Sequence, residues 1–373
     1  MRAKTSIAAP GRRPAPCAAA AAVLFSALVP LAGAATFTVT SSADSGGGTL
    51  RAAISAANAN AGMDTIAFNI GGTGPHTIAV SSALPGIIDP VLIDGYTQPG
   101  AAVNTLAVGT NAQIMIELRS ASGSGGGSLT LLVGSAGSSI RGLAINRFTG
   151  SLINATHGTS DCVIAGNFLG TNPAGTLGYP NATPGTQTGV SLGGAGCRLG
   201  GTNRADRNIV SGLSGTGVYV SGDNVLVQGN LIGTELTGIH AIPNSTGVLV
   251  GSQTPGISTL NALIGGVNSG VYTPRNVISG NQRAGVELRA GNGHKVLGNF
   301  IGMVAFPLFG TTLPNGGAGV LVTGGIWFDI GSMADDGGKN LIGGNDGPGV
   351  LISGPADNAD APQGMFVGAN NFL

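Results

Sequence analysis

One short pattern keeps returning in this chain, and it leaves few folds open. Gly166-Asn167-Phe168-Leu169-Gly170-Thr171 recurs as Gly229-Asn230-Leu231-Ile232-Gly233-Thr234 and again as Gly298-Asn299-Phe300-Ile301-Gly302. A sister form alternates with it: Arg207-Asn208-Ile209-Val210, Arg275-Asn276-Val277-Ile278 and Lys339-Asn340-Leu341-Ile342. With Asn146 and Asn371 added at the two ends, the asparagines step by 21, 41, 22, 46, 23, 41 and 31 residues. Self-similarity at such periods marks a solenoid. A second element, Gly-Val-x-(Val/Leu/Ile), recurs in phase at 189, 217, 247, 285, 319 and 349, and a third short apolar run precedes most of the asparagines. These runs are short, β-branched and bounded by Gly, Asn, Ser and Thr, which is strand chemistry. Three strands in short turns of about 22 residues describe an all-β parallel β-helix, with loops inserted into the longer turns.

One coil cannot stand alone. Its five or six aliphatic side chains contribute roughly 1.5–3 kcal/mol each, against about 1–2 kcal/mol per residue for ordering the backbone. Stability therefore has to come from stacking. The expected structural ladder is Asn146, Asn167, Asn208, Asn230, Asn276, Asn299, Asn340 and Asn371, with amides bonded along the axis about 4.8 Å apart. Cys162 and Cys197 stand five residues before Asn167 and Thr202 and so become neighbours in successive coils, either as packed thiols or as a disulfide.

Glycine is the compositional outlier, with 68 residues of 373, yet the apolar fraction of 42% argues against disorder. Residues 1–34 read as an export signal. Arg2, Lys4, Arg12 and Arg13 form a basic start, an apolar run follows, and Ala32-Gly33-Ala34 offers a cleavage site. No segment is long enough to span a membrane as a helix. Without the leader, 12 basic residues face 16 acidic ones, so nucleic acid is not an expected partner. Residues 35–70 form an N-terminal cap, whose strand Thr36 to Thr40 precedes the amphipathic helix at 49–58, and 71–373 form the β-helix. Asn371-Phe372-Leu373 begins another repeat and stops inside it, as expected of part of a longer gene product.

Thr49-Leu50-Arg51-Ala52-Ala53-Ile54, followed by Asp64-Thr65-Ile66, resembles the N-terminal Ser-Leu-Arg-Glu-Ala-Ile motif of exported bacterial β-helix repeat proteins. Ile93-Asp94-Gly95-Tyr96-Thr97-Gln98-Pro99-Gly100 and the Gly-Asn repeats are similar to the body of that group, in the pectate-lyase-like superfamily. Ala52 replaces the motif's Glu. The resemblance implies a right-handed coil and export more firmly than an activity.

Enzymes of this fold that act on polysaccharides use clustered carboxylates, and no such stack is legible here. Asp329, Asp335 and Asp336 are grouped but lie in a turn-like setting; Glu235 replaces Asn172 of the preceding long coil; Glu287 alone stands at an outward strand position. No catalytic set, metal-ligand spacing or cofactor motif emerges. Arg207, Arg275 and Lys339 precede the ladder asparagine on every second coil, which suggests a row of cations for an acidic polymer. Loops at 171–187, 234–245 and 303–317 carry Tyr179, His240, Phe306 and Phe309, with Trp327 in a nearby segment, and aromatics on loops suit sugars. The expected function is a secreted or cell-surface monomeric scaffold that binds a glycan or another surface ligand. A lyase or hydrolase of pectin-like polymers is the alternative, and a purely structural surface protein the third.

Overall fold

The structure, a computed structural model, describes residues 1, 3, 33–122, 129–180, 187–252, 254, 257, 259–267, 274–306, 311–332, 337–354, 362–368 and 370–372. Contacts separate Met1–Leu31 from Ala32–Leu373, and the strands and helix of the described residues belong to the second unit. The export leader, Phe309, Asp335 and Asp336 fall wholly or largely outside the described residues.

Isoleucine, leucine and valine recur at the same register, and this builds the molecule. In the first sheet Ile66, Ile93, Ile140, Ile164, Leu199, Val227, Ile264, Val296 and Ile330 lie one above another. The second sheet stacks Ile78, Leu118, Ile145, Leu169, Val210, Ile232, Ile278, Ile301 and Ile342 in the same way. The third stacks Leu131, Ala155, Leu192, Val220, Val250, Leu288 and Val322. All these pairings are parallel, and among the described residues the sheets hold 11, 10 and 8 strands. The chain is a right-handed parallel β-helix with three strands per coil, and these columns fill its bore. The first strand of the third sheet among the described residues is Leu129–Leu131, and Ile87 of the preceding coil already bridges to it in parallel. Thr36–Val39 pairs in parallel with Asp64–Phe68 and is therefore already part of the first sheet.

The single α-helix among the described residues, α1 (Leu50–Ala57), buries Leu50, Ala53, Ile54 and Ala57 over the open end of the bore. Thr49 accepts from the Ala52 N–H at its start. Arg51 fastens it by an ion pair to Asp44 and by bonds to the Ser82 and Ala83 carbonyls.

The corner between the first and second sheets explains the two forms of the repeat. In short coils the turn is only Gly-Asn. Gly229 adopts φ +71°, and a Cβ there would strike the Gly201 carbonyl. In the alternate coils a longer connection, such as 201–207, reaches the same asparagine, and Arg207 takes an ordinary φ of −61°. Glycine is then unnecessary, which is why Arg or Lys can stand there.

The asparagines hold this corner together. Side-chain amides bond from Asn167 to Asn208, then to Asn230, Asn276, Asn299, Asn340 and Asn370, at 2.8–3.3 Å. Two expected members need correction. Asn146 is level with Arg119 and one residue past Ile145, which pairs with Leu169, so it lies at the far end of the strand. There it donates to Glu117 and to the Thr171 carbonyl. Asn371 is a strand residue paired with Leu341, and Asn370 carries the ladder instead. A second ladder, unforeseen in the sequence, runs Asn244, Asn281, Asn315, Asn345 at the next corner, at 2.8–3.0 Å.

Candidate functional site

The expected cation row does not form an open stripe. Arg207 gives Nε to the Gly229 carbonyl and its remaining amino groups to the carbonyls of Leu106, Ala107 and Gly109. Arg275 repeats the first contact one step further, from Nε to the Gly298 carbonyl, and lies 4.1 Å over the Phe300 ring. Each arginine thus ties one coil to the next. Burial, reinforced by Arg204, lowers Arg207 to about 10, and burial lowers Arg275. Lys339 is half-buried at the equivalent corner position.

Tyr179 packs under Arg147, whose guanidinium carbon is 4.4 Å from the ring centre. Trp327 is 65% exposed at a different corner, beside Gln363 and Gly364. The five residues expected to bind ligand are therefore not brought together: Arg207 and Arg275 share one cavity, and Tyr179 and Trp327 lie apart from it. The inserted loops do stack on one side, since Leu236 N–H bonds Gly175 and Ala305 N–H bonds Gly238. They cover the outward Phe168, Ile209, Leu231 and Val277 of the second sheet, and not Leu249, Leu321 and Leu351 of the third. Glu235 serves its own loop: burial raises its pKa, but bonds from Thr237, Ile239 and His240 outweigh this and hold the carboxyl below its usual value. Asn172 caps the preceding loop through Thr176 and Leu177, which accounts for the equivalence of the two positions.

A groove lies along the outer face of the third sheet. Its outward column is the variable residue of the Gly-Val-x-Val pattern: Thr130, Asn154, Ser191, Tyr219, Leu249, Glu287, Leu321, Leu351. Two contiguous hollows of about 400 and 280 Å³ meet at Tyr219. Thr188, Thr216, Leu249 and Arg289 line one, and Asn154, His157, Ser191 and Ser221 line the other. Residues two apart on a strand share a face, so Glu287 and Arg289 meet in a 2.6 Å ion pair. His157 reaches over two coils to Ser221, at 3.1 Å from ring nitrogen to hydroxyl. Of the residues on this face, the sequence marks Glu287 as an outward carboxylate and Leu249, Leu321 and Leu351 as outward apolar positions. Outward phase in the repeat was the available signal for Tyr219 and Ser191; His157 and Arg289 gave none.

Cys162 and Cys197 are buried free thiols in stacked coils. The Cys197 thiol is pushed up by its hydrogen bond with the Cys162 thiol and by burial. Among the described residues no three His, Cys, Asp or Glu side chains gather as metal ligands, and no helix is long and apolar enough to cross a membrane.

Three parallel sheets and a capping helix define a right-handed parallel β-helix. No protein-family model and no curated protein matches the chain. Among solved structures it is similar to the A-module of the mannuronan C-5 epimerase AlgE4 of Azotobacter vinelandii, at 14% identity over 91% of this chain and 97% of that one, TM-score 0.32. It is also similar to the Dettilon tailspike protein, at 12% identity, 85% and 64% coverage and TM-score 0.32. The alginate lyase of a Paenibacillus species follows, at 14% identity, 90% and 99% coverage and TM-score 0.27.

Proposed function

We propose that this chain is an exported β-helix scaffold that binds a glycan lengthwise on the outer face of its third sheet. The observation that carries the reading is Tyr219, half-buried where two hollows join, with Thr216 on its own strand, Thr188 and Ser191 on the neighbouring coil and Asn154 on the coil beyond. An aromatic face flanked by hydroxyls and amides is the chemistry that takes a sugar ring and its hydroxyl groups. Rigid strands hold these groups at a fixed pitch of about 4.8 Å, which suits a repeating polymer. The charge in the groove cancels internally between Glu287 and Arg289, so a neutral or weakly charged glycan fits best. Glycan-array binding by the chain without its leader, weakened about tenfold by Tyr219→Ala, is the expected result. Unchanged binding in that variant would remove the groove from consideration. An array without hits would leave a purely structural surface role.

A second reading has its own observation. His157, Tyr219 and Arg289 stand on alternate coils of the same groove. Imidazole and phenol can move a proton, as eliminative cleavage of an acidic polysaccharide requires, and Arg289 could meet a substrate carboxylate only by exchanging its ion pair with Glu287. Release of unsaturated oligosaccharides, abolished by Tyr219→Phe, would establish the enzyme over the scaffold.

A further inference from the structure

A separate concavity of about 420 Å³ lies at the corner between the first and second sheets, beneath the segment at 107–109. Arg204, Arg207 and Arg275 line it, with Leu231, Val277 and Phe300 as apolar wall. Every basic side chain seen in an ion pair among the described residues is a different one: Arg51, Arg141, Arg198, Arg289 or Lys295. Asp206, the nearest acid in sequence, is taken by Arg198 at 3.2 Å. Three guanidinium groups therefore share a partly enclosed space, and among the described residues none of them is in an ion pair with a carboxylate.

Their hydrogen bonds divide them by role. Arg207 is occupied by main-chain carbonyls at 106, 107, 109 and 229, and so holds the covering segment in place. Arg275 commits Nε to Gly298 and rests on Phe300, and Arg204 gives one bond, 3.2 Å, to the Thr105 carbonyl. Gathering like charges away from water is unfavourable unless an anion joins them. Burial lowers both Arg207 and Arg275, with Arg204 adding to the effect at Arg207. Planar guanidinium forks match carboxylate geometry, while Leu231, Val277 and Phe300 supply apolar surface beside them.

We propose that this cavity binds a small organic carboxylate with an apolar body, its charged end on Arg275 and Arg204 and its body against Leu231, Val277 and Phe300. The site is at a different corner from the third-sheet groove and does not depend on what that groove does. Its volume falls within the range of small-ligand pockets, about 300–1,000 Å³.

Calorimetric titration of the full chain tests this with three probes: 2-naphthoate, the neutral 2-naphthamide and inorganic phosphate. The expected result is saturable binding of 2-naphthoate, with the other two weaker by about tenfold or more. Arg275→Gln should weaken 2-naphthoate by a similar factor. Because Arg275 also ties two coils together, Arg204→Gln supplies the same readout in a side chain with a lesser structural role. Equal binding of acid and amide, phosphate binding as tight as 2-naphthoate, or no saturable binding of any probe would overturn the proposal. So would undiminished 2-naphthoate binding in a folded Arg204→Gln variant.

Discussion

Asn230 shows how much one side chain does in this architecture. It is fully buried, donates to the Leu199 and Gln228 carbonyls and to Asn276, and accepts from Asn208. Asn230→Ala leaves several polar groups of neighbouring coils unpaired away from water and should cost roughly 3 kcal/mol. Urea unfolding measures this, and a loss within experimental error would mean that the ladder is incidental. His294 gives a pH test. Its Nδ1 accepts from the Ala262 N–H, its Nε2 faces the Ala290 carbonyl at 3.1 Å, and its ring stacks 4.9 Å from Phe328. Those partners require the neutral ring with the proton on Nε2, and burial lowers the pKa from 6.5 to about 4. The unfolded chain takes up a proton near 6.5 and the folded chain only near 4, so stability is complete above pH 6.5 and falls as pH drops toward 4, by up to roughly 3 kcal/mol. His294→Gln should flatten that part of the profile; an unchanged slope would assign it to other groups. At this scale most of the first ladder was legible, because amides spaced by whole coils leave few other roles. Asn146 and Asn371 were misplaced because spacing alone does not fix register to within a few residues. The second ladder was hidden because its steps of 37, 34 and 30 residues cross loops of varying length.

Among the elements, α1 is the most readable from sequence and the easiest to test. Its apolar positions fall on one face, and Thr49 supplies the cap that the first turn needs. Thr49→Ala should cost about 1 kcal/mol, and Ile54→Ala about 3 kcal/mol, since Ile54 is buried over the end of the bore. Thermal unfolding ranks the two; the reverse order would show that the helix is not packed as described. The inserted loops were anticipated on one side, as found. Which sheet they cover depended on where each chain segment exits its coil, and the apolar outward residues Phe168, Ile209 and Leu231 turned out to be the surface they protect. The arginines before the ladder asparagines were read as a row facing solvent. Once the long corner was folded, their guanidinium groups turned back onto main-chain carbonyls, contacts that no local spacing encodes.

Across the whole molecule, contacts run mainly between adjacent coils, so energetic coupling should be local. Ile140→Val and Ile342→Val, far apart in the stack, should add to within about 0.5 kcal/mol. Ile164 and Leu199, directly paired, should depart from additivity by more than that when both are shortened. Equal coupling in both pairs would point to a single cooperative body without coil-by-coil structure. Repetition alone determined the stacked three-strand coil and the apolar bore, because residues a whole coil apart must meet and only like packs repeatedly on like. Folding in space decided where ligands can act. The groove on the third sheet and the arginine-lined cavity each collect side chains from several coils, and their nearness is set by corner lengths and coil register, which periodicity leaves open.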